Sequence, residues 1–378
     1  MVMDRLFLLM KEKEASDMFM AVNSPIHLKV NGNLIPINQQ KMDNTTILSL
    51  LAEVVNAERL QELDHAGELN MGIPVAGVGS FRLSAFRQRG SISAVLRFIP
   101  GRIPALESLH VPMILADLIM ARRGLMLVVG ATGSGKSTTI ASMLDHRNGL
   151  QSGHILTLED PIEFLFSNKK SIVNQREIGS DATTLHTALK NALRQAPDCI
   201  LIGEIRDKET MSAALSYAQS GHLVVATLHA NNSYQALTRI INFYPIENRQ
   251  SLLSDLSSAL KTIISQRLVT AIDGGRRAAV EVMLNTRHVS DLIEQGDIGQ
   301  IKEAIEKSLS PGSQTFEQAL MLLIKEGVVT QEEALAHADS ATNLYWLINN
   351  AQENKTAVPE VEPEKDDSAT FTEFTLNV

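Results

Sequence analysis

The residues best suited to chemistry form one short run, Gly130-Ala131-Thr132-Gly133-Ser134-Gly135-Lys136-Ser137-Thr138. It follows the apolar stretch Leu125–Val129 and precedes a segment with helical character, Ser137–Asp145. This is the spacing G-x-x-x-x-G-K-S between a strand and a helix. Glycines let the backbone curl until its N–H groups face inward at phosphate oxygens, and the helix N-terminus adds positive potential. Gly130, Thr132, Gly133, Ser134, Gly135 and Thr138 are therefore read as nucleotide-binding, with Lys136 as a point charge on the phosphates. Ser137 supplies a hydroxyl for Mg²⁺. The ligand this pattern implies is ATP with Mg²⁺.

Acids follow two further apolar runs. Glu159-Asp160-Pro161-Ile162-Glu163 comes after His154–Leu158, and Glu204 comes one glycine after Cys199–Ile202. A carboxylate just past an apolar strand can hold Mg²⁺, directly or through water, and hydrolysis also needs a group to orient the attacking water. Glu204 suits the metal. Glu163, on the loop after Pro161, suits the water. In Gly221-His222-Leu223-Val224-Val225-Ala226-Thr227-Leu228-His229 the histidines stand at opposite ends of a strand. Seven residues apart, they cannot chelate one metal. His229, at the carboxyl end, can reach a phosphate oxygen or a water; both histidines can equally serve structural hydrogen bonds.

Strands and helices must bring these groups together. From Arg123 onward the runs Leu125–Val129, His154–Leu158, Cys199–Ile202 and Leu223–Thr227 alternate with helical segments. Short, wholly apolar strands of this kind predict a parallel sheet covered on both faces, hence an α/β core over 123–285. Residues 1–100 read as a small α+β domain. It has a helix near Leu6–Ala15, a hairpin turning at Asn31-Gly32-Asn33, a helix over Thr46–Leu63, and strands Ser80–Arg87 and Ser91–Ile99. Pro100, Gly101 and Pro104 mark a linker over 101–122. A helical segment occupies 286–350, with Thr330–Glu333 as a capping box and a last helix, Asn343–Asn350, that buries Leu344, Trp346 and Leu347.

Composition narrows the function classes. With 34 basic and 43 acidic residues the net charge is -9, which argues against a nucleic-acid protein carried by bulk charge. One cysteine excludes an internal disulfide and a multi-cysteine zinc site and fits the cytosol. No apolar run is long enough for a direct transmembrane segment, so contact with a membrane goes through another protein. Residues 351–378 are acidic and proline-bearing, and are expected to be a disordered tail. Phe371, Phe374 and Leu376 near its end could serve as a docking peptide.

In order and separation, GATGSGKST, LEDPIE, ILIGEIRD and GHLVVATLH resemble the secretion ATPases of type II secretion and type IV pili. Within them the chain is similar to the PilT/PilU retraction ATPases, more on the PilU side, over roughly residues 1–345. The resemblance implies a RecA-like P-loop ATPase core with a parallel sheet, preceded by a PAS-like N-terminal domain. It implies Glu163 as catalytic base, Glu204 as the Walker-B acid, His222 and His229 as a histidine box, and two nucleotide-reaching arginines, Arg82 and Arg97. It further implies a homohexamer that is cytoplasmic and peripheral to the inner membrane at the pilus base, with the PilT ATPase and the inner-membrane platform protein as partners. Some positions depart from the PilT pattern. Lys190 and Ala196 replace an arginine and an acid, the histidine of ASDLHL is missing from Ala15–Met20, and His288–Ile293 lacks the arginine of AIRNLI. The last of these favours PilU-like retraction activity that depends on PilT. A nucleotide-binding accessory subunit is the alternative. A motor working in the opposite direction is a third reading, disfavoured because such proteins typically carry extra N-terminal domains.

Overall fold

The structure is a computed structural model describing residues 1–30, 32–100 and 102–356. The first helix, Val2–Glu12, buries Met3, Leu6, Phe7 and Met10, the i, i+3, i+4, i+7 stripe of one helix face. It packs on an antiparallel sheet of six strands: β1 (Asp17–Ala21), β2 (His27–Val30), β3 (Asn33–Pro36), β4 (Glu68–Val75), β5 (Gly79–Gln88) and β6 (Ser91–Pro100). Their order is β3-β2-β1-β6-β5-β4. Phe7 lies 4.1 Å from Phe81, centroid to centroid, and Phe81 lies 5.1 Å from Phe98. Removing a fully buried ring leaves a cavity as well as losing transfer energy. Phe7→Ala is therefore expected to cost about 3–5 kcal/mol, read as a lowered midpoint in chemical denaturation; a change under about 1 kcal/mol would show that this helix contributes little to the core.

Two expectations need correction here. The helix over Thr46–Leu63 is two helices, Asn44–Ala52 and Ala57–Ala66, because Asn56 caps the second by accepting from Arg59 N–H. Strand β4 went unread because Gly72 and Pro74 interrupt it, and both residues argue against a strand interior. As the last strand of the sheet it tolerates them. The hairpin β2–β3 forms with Val30 opposite Asn33 and Gly32 at φ +82°; Asn31 and Gly101 lie outside the described residues.

The second sheet has seven strands: β7 (Gly124–Val129), β8 (Gly153–Glu159), β9 (Ser171–Glu177), β10 (Cys199–Ile202), β11 (Leu223–Leu228), β12 (Leu260–Thr270) and β13 (Arg276–Leu284). The order is β13-β12-β7-β11-β10-β8-β9, parallel except for the β12–β13 pair. Alternate residues of each strand enter different cores. Leu125, Leu127, Leu156, Ile200 and Val224 face one, while Met126, Val128, Ile155, Leu201 and Val225 face the other. Burial on both faces is why these strands read as continuous apolar runs. Burial also pushes the Cys199 thiol up to about 12.

Beyond the sheet, helices Phe316–Lys325, Gln331–His337 and Ala341–Thr356 gather around Phe316, Leu320 and Leu344. Arg267 stacks 3.9 Å over the Phe316 ring. The expected capping box at Thr330 is half made. Thr330 caps Glu333 N–H, but the Glu333 carboxylate accepts instead from Thr270 N–H at the end of β12. The complete box sits at Thr315 and Gln318. The last helix buries Leu344 and Ile348 and leaves Trp346 exposed, contrary to expectation, and it runs to Thr356, into the stretch expected to be disordered. The rest of that tail, 357–378, lies outside the described residues.

Candidate active site

Parallel strands place their carboxyl ends on one edge, and ligands bind there in open α/β sheets. Here that edge carries Gly130 after β7, His229 after β11, Glu204 after β10 and the acid loop after β8. The strand bearing Glu204 is not beside the P-loop strand: β11 inserts between them. A cavity of about 810 Å³ opens on this edge. Thr132, Gly133, Lys136, Ser137, Glu163, Glu204, His229 and Arg82 all line it.

The glycine run is pressed against β12. A Cβ on Gly130 would lie 2.5 Å from both Gln266 O and Ser134 Oγ, and one on Gly135 would lie 2.7 Å from Gln266 Nε2. Gly133 and Gly135 also sit at φ +80° and +88°, the left-handed region that favours glycine. Gln266 is itself fixed, accepting from Thr139 Oγ1 at 2.8 Å. The helix Lys136–Leu150 starts directly from this turn. Its buried Arg147 donates to Ile119 O at 2.7 Å and Ala121 O at 2.9 Å, locking the helix to the segment before β7.

Lys136 donates to Gly130 O at 2.7 Å and Ala131 O at 2.8 Å. An ammonium has three donors, so one remains for a phosphate. Desolvation by burial lowers its pKa, and the Glu163 and Glu204 carboxylates act the other way. Both acids are therefore electrostatic neighbours of the lysine. Ser134 Oγ is buried with no hydrogen-bond partner among the described residues, an acceptor and donor facing into the cradle. The turn thus fits a polyphosphate.

Glu204 is already engaged. Arg206 Nε donates to Oε2 at 2.6 Å, and His229 Nε2 lies 3.4 Å from Oε1. His222, by contrast, sits at the other end of β11 with Nδ1 3.2 Å from Tyr217 O. The fold separates the two histidines, and His229 alone of the pair lines the cavity. Among the described residues no group of three or more His, Cys, Asp or Glu is arranged as a metal site. Mg²⁺ in nucleotide sites relies on one or two protein oxygens plus phosphates, a donor set that Ser137 and Glu204 with ATP can complete.

The arginines divide. Arg82 and Arg97 stand directly opposite one another on β5 and β6, and like charges so placed repel. Asp17, opposite Arg97 on β1, relieves this by accepting from Arg97 Nε at 2.9 Å. Arg82 lines the cavity; Arg97, held by Asp17, is not among its lining residues.

Three residues near the site had no sequence signal strong enough to mark them. Gln266 and Arg206 sit in ordinary strand and loop contexts. Glu159, read only as part of the acid loop, is the inner wall. It accepts from Thr157 Oγ1 at 2.6 Å and Gln175 Nε2 at 3.3 Å. Burial raises its pKa more than these hydrogen bonds lower it. The stability this group contributes is therefore full below the ordinary glutamate value of about 4.3 and is lost as pH rises through the raised value. Glu159→Gln should gain on the wild type across that window, by about 2–4 °C in Tm at neutral pH. An advantage that instead shrank with rising pH would contradict the assignment.

A glycine-rich turn on a central parallel strand, with one strand inserted between it and the strand that ends before Glu204, defines a RecA-like P-loop protein. Residues 2–336 match the family model described as Type II/IV secretion system protein. The chain belongs to that family. It is 45% identical over 355 residues, 94% of this chain and 93% of the relative, to the type IV pilus ATPase PilU of Pseudomonas aeruginosa. To the type IV pilus retractation ATPase PilT of the same organism it is 38% identical over 329 residues, 87% of this chain and 96% of the relative. Among solved structures, the pilus retraction motor PilT with bound ADP superimposes with a TM-score of 0.83 at 37% identity, covering 90% of this chain and 99% of that one. No helix among the described residues is long and apolar enough to cross a membrane.

Proposed function

We propose that the chain is an ATPase motor subunit that powers or assists type IV pilus retraction, acting with a PilT-like ATPase and the inner-membrane platform protein. It would work as a homohexamer on the cytoplasmic side of the membrane. Residues 1–100 would move relative to 123–285 about the 101–122 linker, with 286–350 as a helical appendage. The observation that carries this reading is the convergence, in one cavity, of Lys136, Ser137, Glu163 and Glu204 with Arg82 from the other sheet. Lys136 and the turn's N–H groups would hold the phosphates of ATP. Bound Mg²⁺ would supply charge neutralisation of the phosphate oxygens, with Ser137 and Glu204 as its protein ligands. Glu163 would orient the attacking water and accept its proton, His229 would hold Glu204, and Arg82 would reach the γ-phosphate only with the two sheets closed. Purified full-length protein should release phosphate from ATP with Mg²⁺ and stop on chelation with EDTA, and Lys136→Ala should lose both binding and turnover. Release that persists in EDTA would refute the metal assignment.

One observation favours the accessory reading: both oxygens of Glu204 face partners, Arg206 and His229, so the metal must compete for them. Pilus function in cells separates the two. A Glu163→Gln chain that restores retraction supports the accessory role, and one that does not supports the motor.

A further inference from the structure

The two groups assigned to the γ-phosphate end of the site lie on different sheets, and one buried side chain touches the backbone leading to each. Glu177 ends β9 and is 6% exposed. Its Oε2 accepts from Ile162 N–H at 3.1 Å, the residue next to Glu163 on the acid loop. Its Oε1 accepts from Gly72 N–H at 3.0 Å, on the outer edge of β4. Gly72 is directly opposite Arg82 in the sheet register. A single row thus crosses the N-terminal sheet, Asp17, Arg97, Arg82 and Gly72, and ends on the Glu177 carboxylate. A second strut runs alongside: Arg59 Nη2 donates to Ser180 Oγ at 3.1 Å, which in turn donates to Glu177 Oε1 at 3.2 Å.

Gly72 explains itself in this light. Its backbone is not in the left-handed region, so conformational freedom does not call for glycine there. A Cβ at this position would collide with Glu177 Oε2. Glycine is needed because a carboxylate from the other sheet docks against its backbone.

We propose that Glu177 is a positioning residue that couples docking of the N-terminal sheet to the arrangement of the acid loop, so that Arg82 and Glu163 come into place together. The inference rests on the roles proposed above for those two groups. Edge-strand N–H groups are unpaired and exposed unless something covers them. When the sheets part, Gly72 N–H returns to water and Glu177 loses one of its anchors. The other, on Ile162, then loses a fixed acceptor. The coupling therefore acts in both directions through one side chain, with no rearrangement of the sheet cores.

The test uses full-length protein and two variants that break the link from opposite ends, Glu177→Ala and Gly72→Ala. The added methyl of the second can be accommodated by displacing the flexible end of Glu177, so that variant is expected to fold. Hydrogen–deuterium exchange without nucleotide is the first readout. Gly72→Ala, on the N-terminal sheet, should speed exchange of the peptide containing the Ile162 and Glu163 amides by about tenfold, the loss of one charge-assisted hydrogen bond. Unchanged exchange there overturns the coupling. The second readout is steady-state hydrolysis, where both variants should lower kcat by about 10–100-fold with KM within a few fold. Glu177→Gln, which keeps one acceptor oxygen, should recover part of the loss. Equal loss in the glutamine and alanine variants, or a rise in KM alone, would also overturn it. Failure of the underlying reading is distinguishable, because Glu163→Gln and Arg82→Ala would then leave turnover intact while the exchange result could still stand.

Discussion

Replacing Arg82 by alanine is expected to lower the rate of ATP hydrolysis by about 10³–10⁵-fold, the range measured for arginines that stabilise charge on a transferring phosphoryl group. Nucleotide affinity should stay within a few fold, because the turn around Lys136 holds the phosphates without help from the other sheet. Arginine suits the task through its planar fork, which pairs with two phosphate oxygens at once; Arg82→Lys should therefore recover little. The same substitution at Arg97 is expected to cost less than about tenfold, since that guanidinium is committed to Asp17 at 2.9 Å. Single-turnover hydrolysis beside ADP binding measures both. Equal losses in the two variants would mean that Arg97 leaves Asp17 and joins the site during turnover. Full activity in Arg82→Ala would remove the N-terminal sheet from the chemistry altogether.

Glu163→Gln should keep ATP bound and lose about 10²–10⁴-fold in hydrolysis, the usual contribution of a general base. Glutamine preserves shape and a hydrogen-bond acceptor but cannot take a proton from water. The surrounding charges sharpen the expectation. Glu163 is one of two carboxylates that stabilise the charged form of the half-buried Lys136, so the substitution should also make that lysine easier to deprotonate. Nucleotide binding in the variant should then weaken at alkaline pH sooner than in the wild type. A near wild-type rate would transfer the role to Glu204. That carboxylate is the more encumbered of the two in this geometry, because Arg206 donates to one of its oxygens at 2.6 Å and His229 Nε2 lies 3.4 Å from the other.

The central sheet was legible because burial on both faces leaves a strong one-dimensional trace. Each of the strands at Leu125, Ile155, Ile200 and Val224 is a largely apolar run, broken at most by a threonine (Thr157 or Thr227). Where burial is one-sided or interrupted, the trace fades. Strand β4 holds a glycine and a proline, β9 (Ser171–Glu177) ends in four consecutive polar residues, Asn174–Glu177, and neither leaves a strand-like trace. The hairpin β12–β13 escaped for a different reason: its first strand follows directly on the helix Arg249–Ala259, with Leu260 as the cap, and no loop announces the change.

The glycine turn is a local structure, and its spacing alone points to a phosphate ligand. The groups it offers a phosphate are mostly its own N–H groups, and their geometry depends on neighbours in sequence. The placement of the acids after β8 and β10 was likewise legible, since any residue at the carboxyl end of a parallel strand faces the same edge. What the sequence could not determine is which strands are adjacent. Strand β11, late in the chain, inserts between β7 and β10 and brings His229 within 3.4 Å of Glu204 while leaving His222 on the far edge. The two arginines, alike in the sequence, were separated by a pairing across the sheet, because Asp17 lies opposite one and Gly72 opposite the other. Glu177, 14 residues beyond Glu163 in the chain, carries no pattern at all. It meets Gly72 and Ile162 only because two sheets with separate cores dock at that point, and contacts between separately folded layers leave no periodicity in either strand.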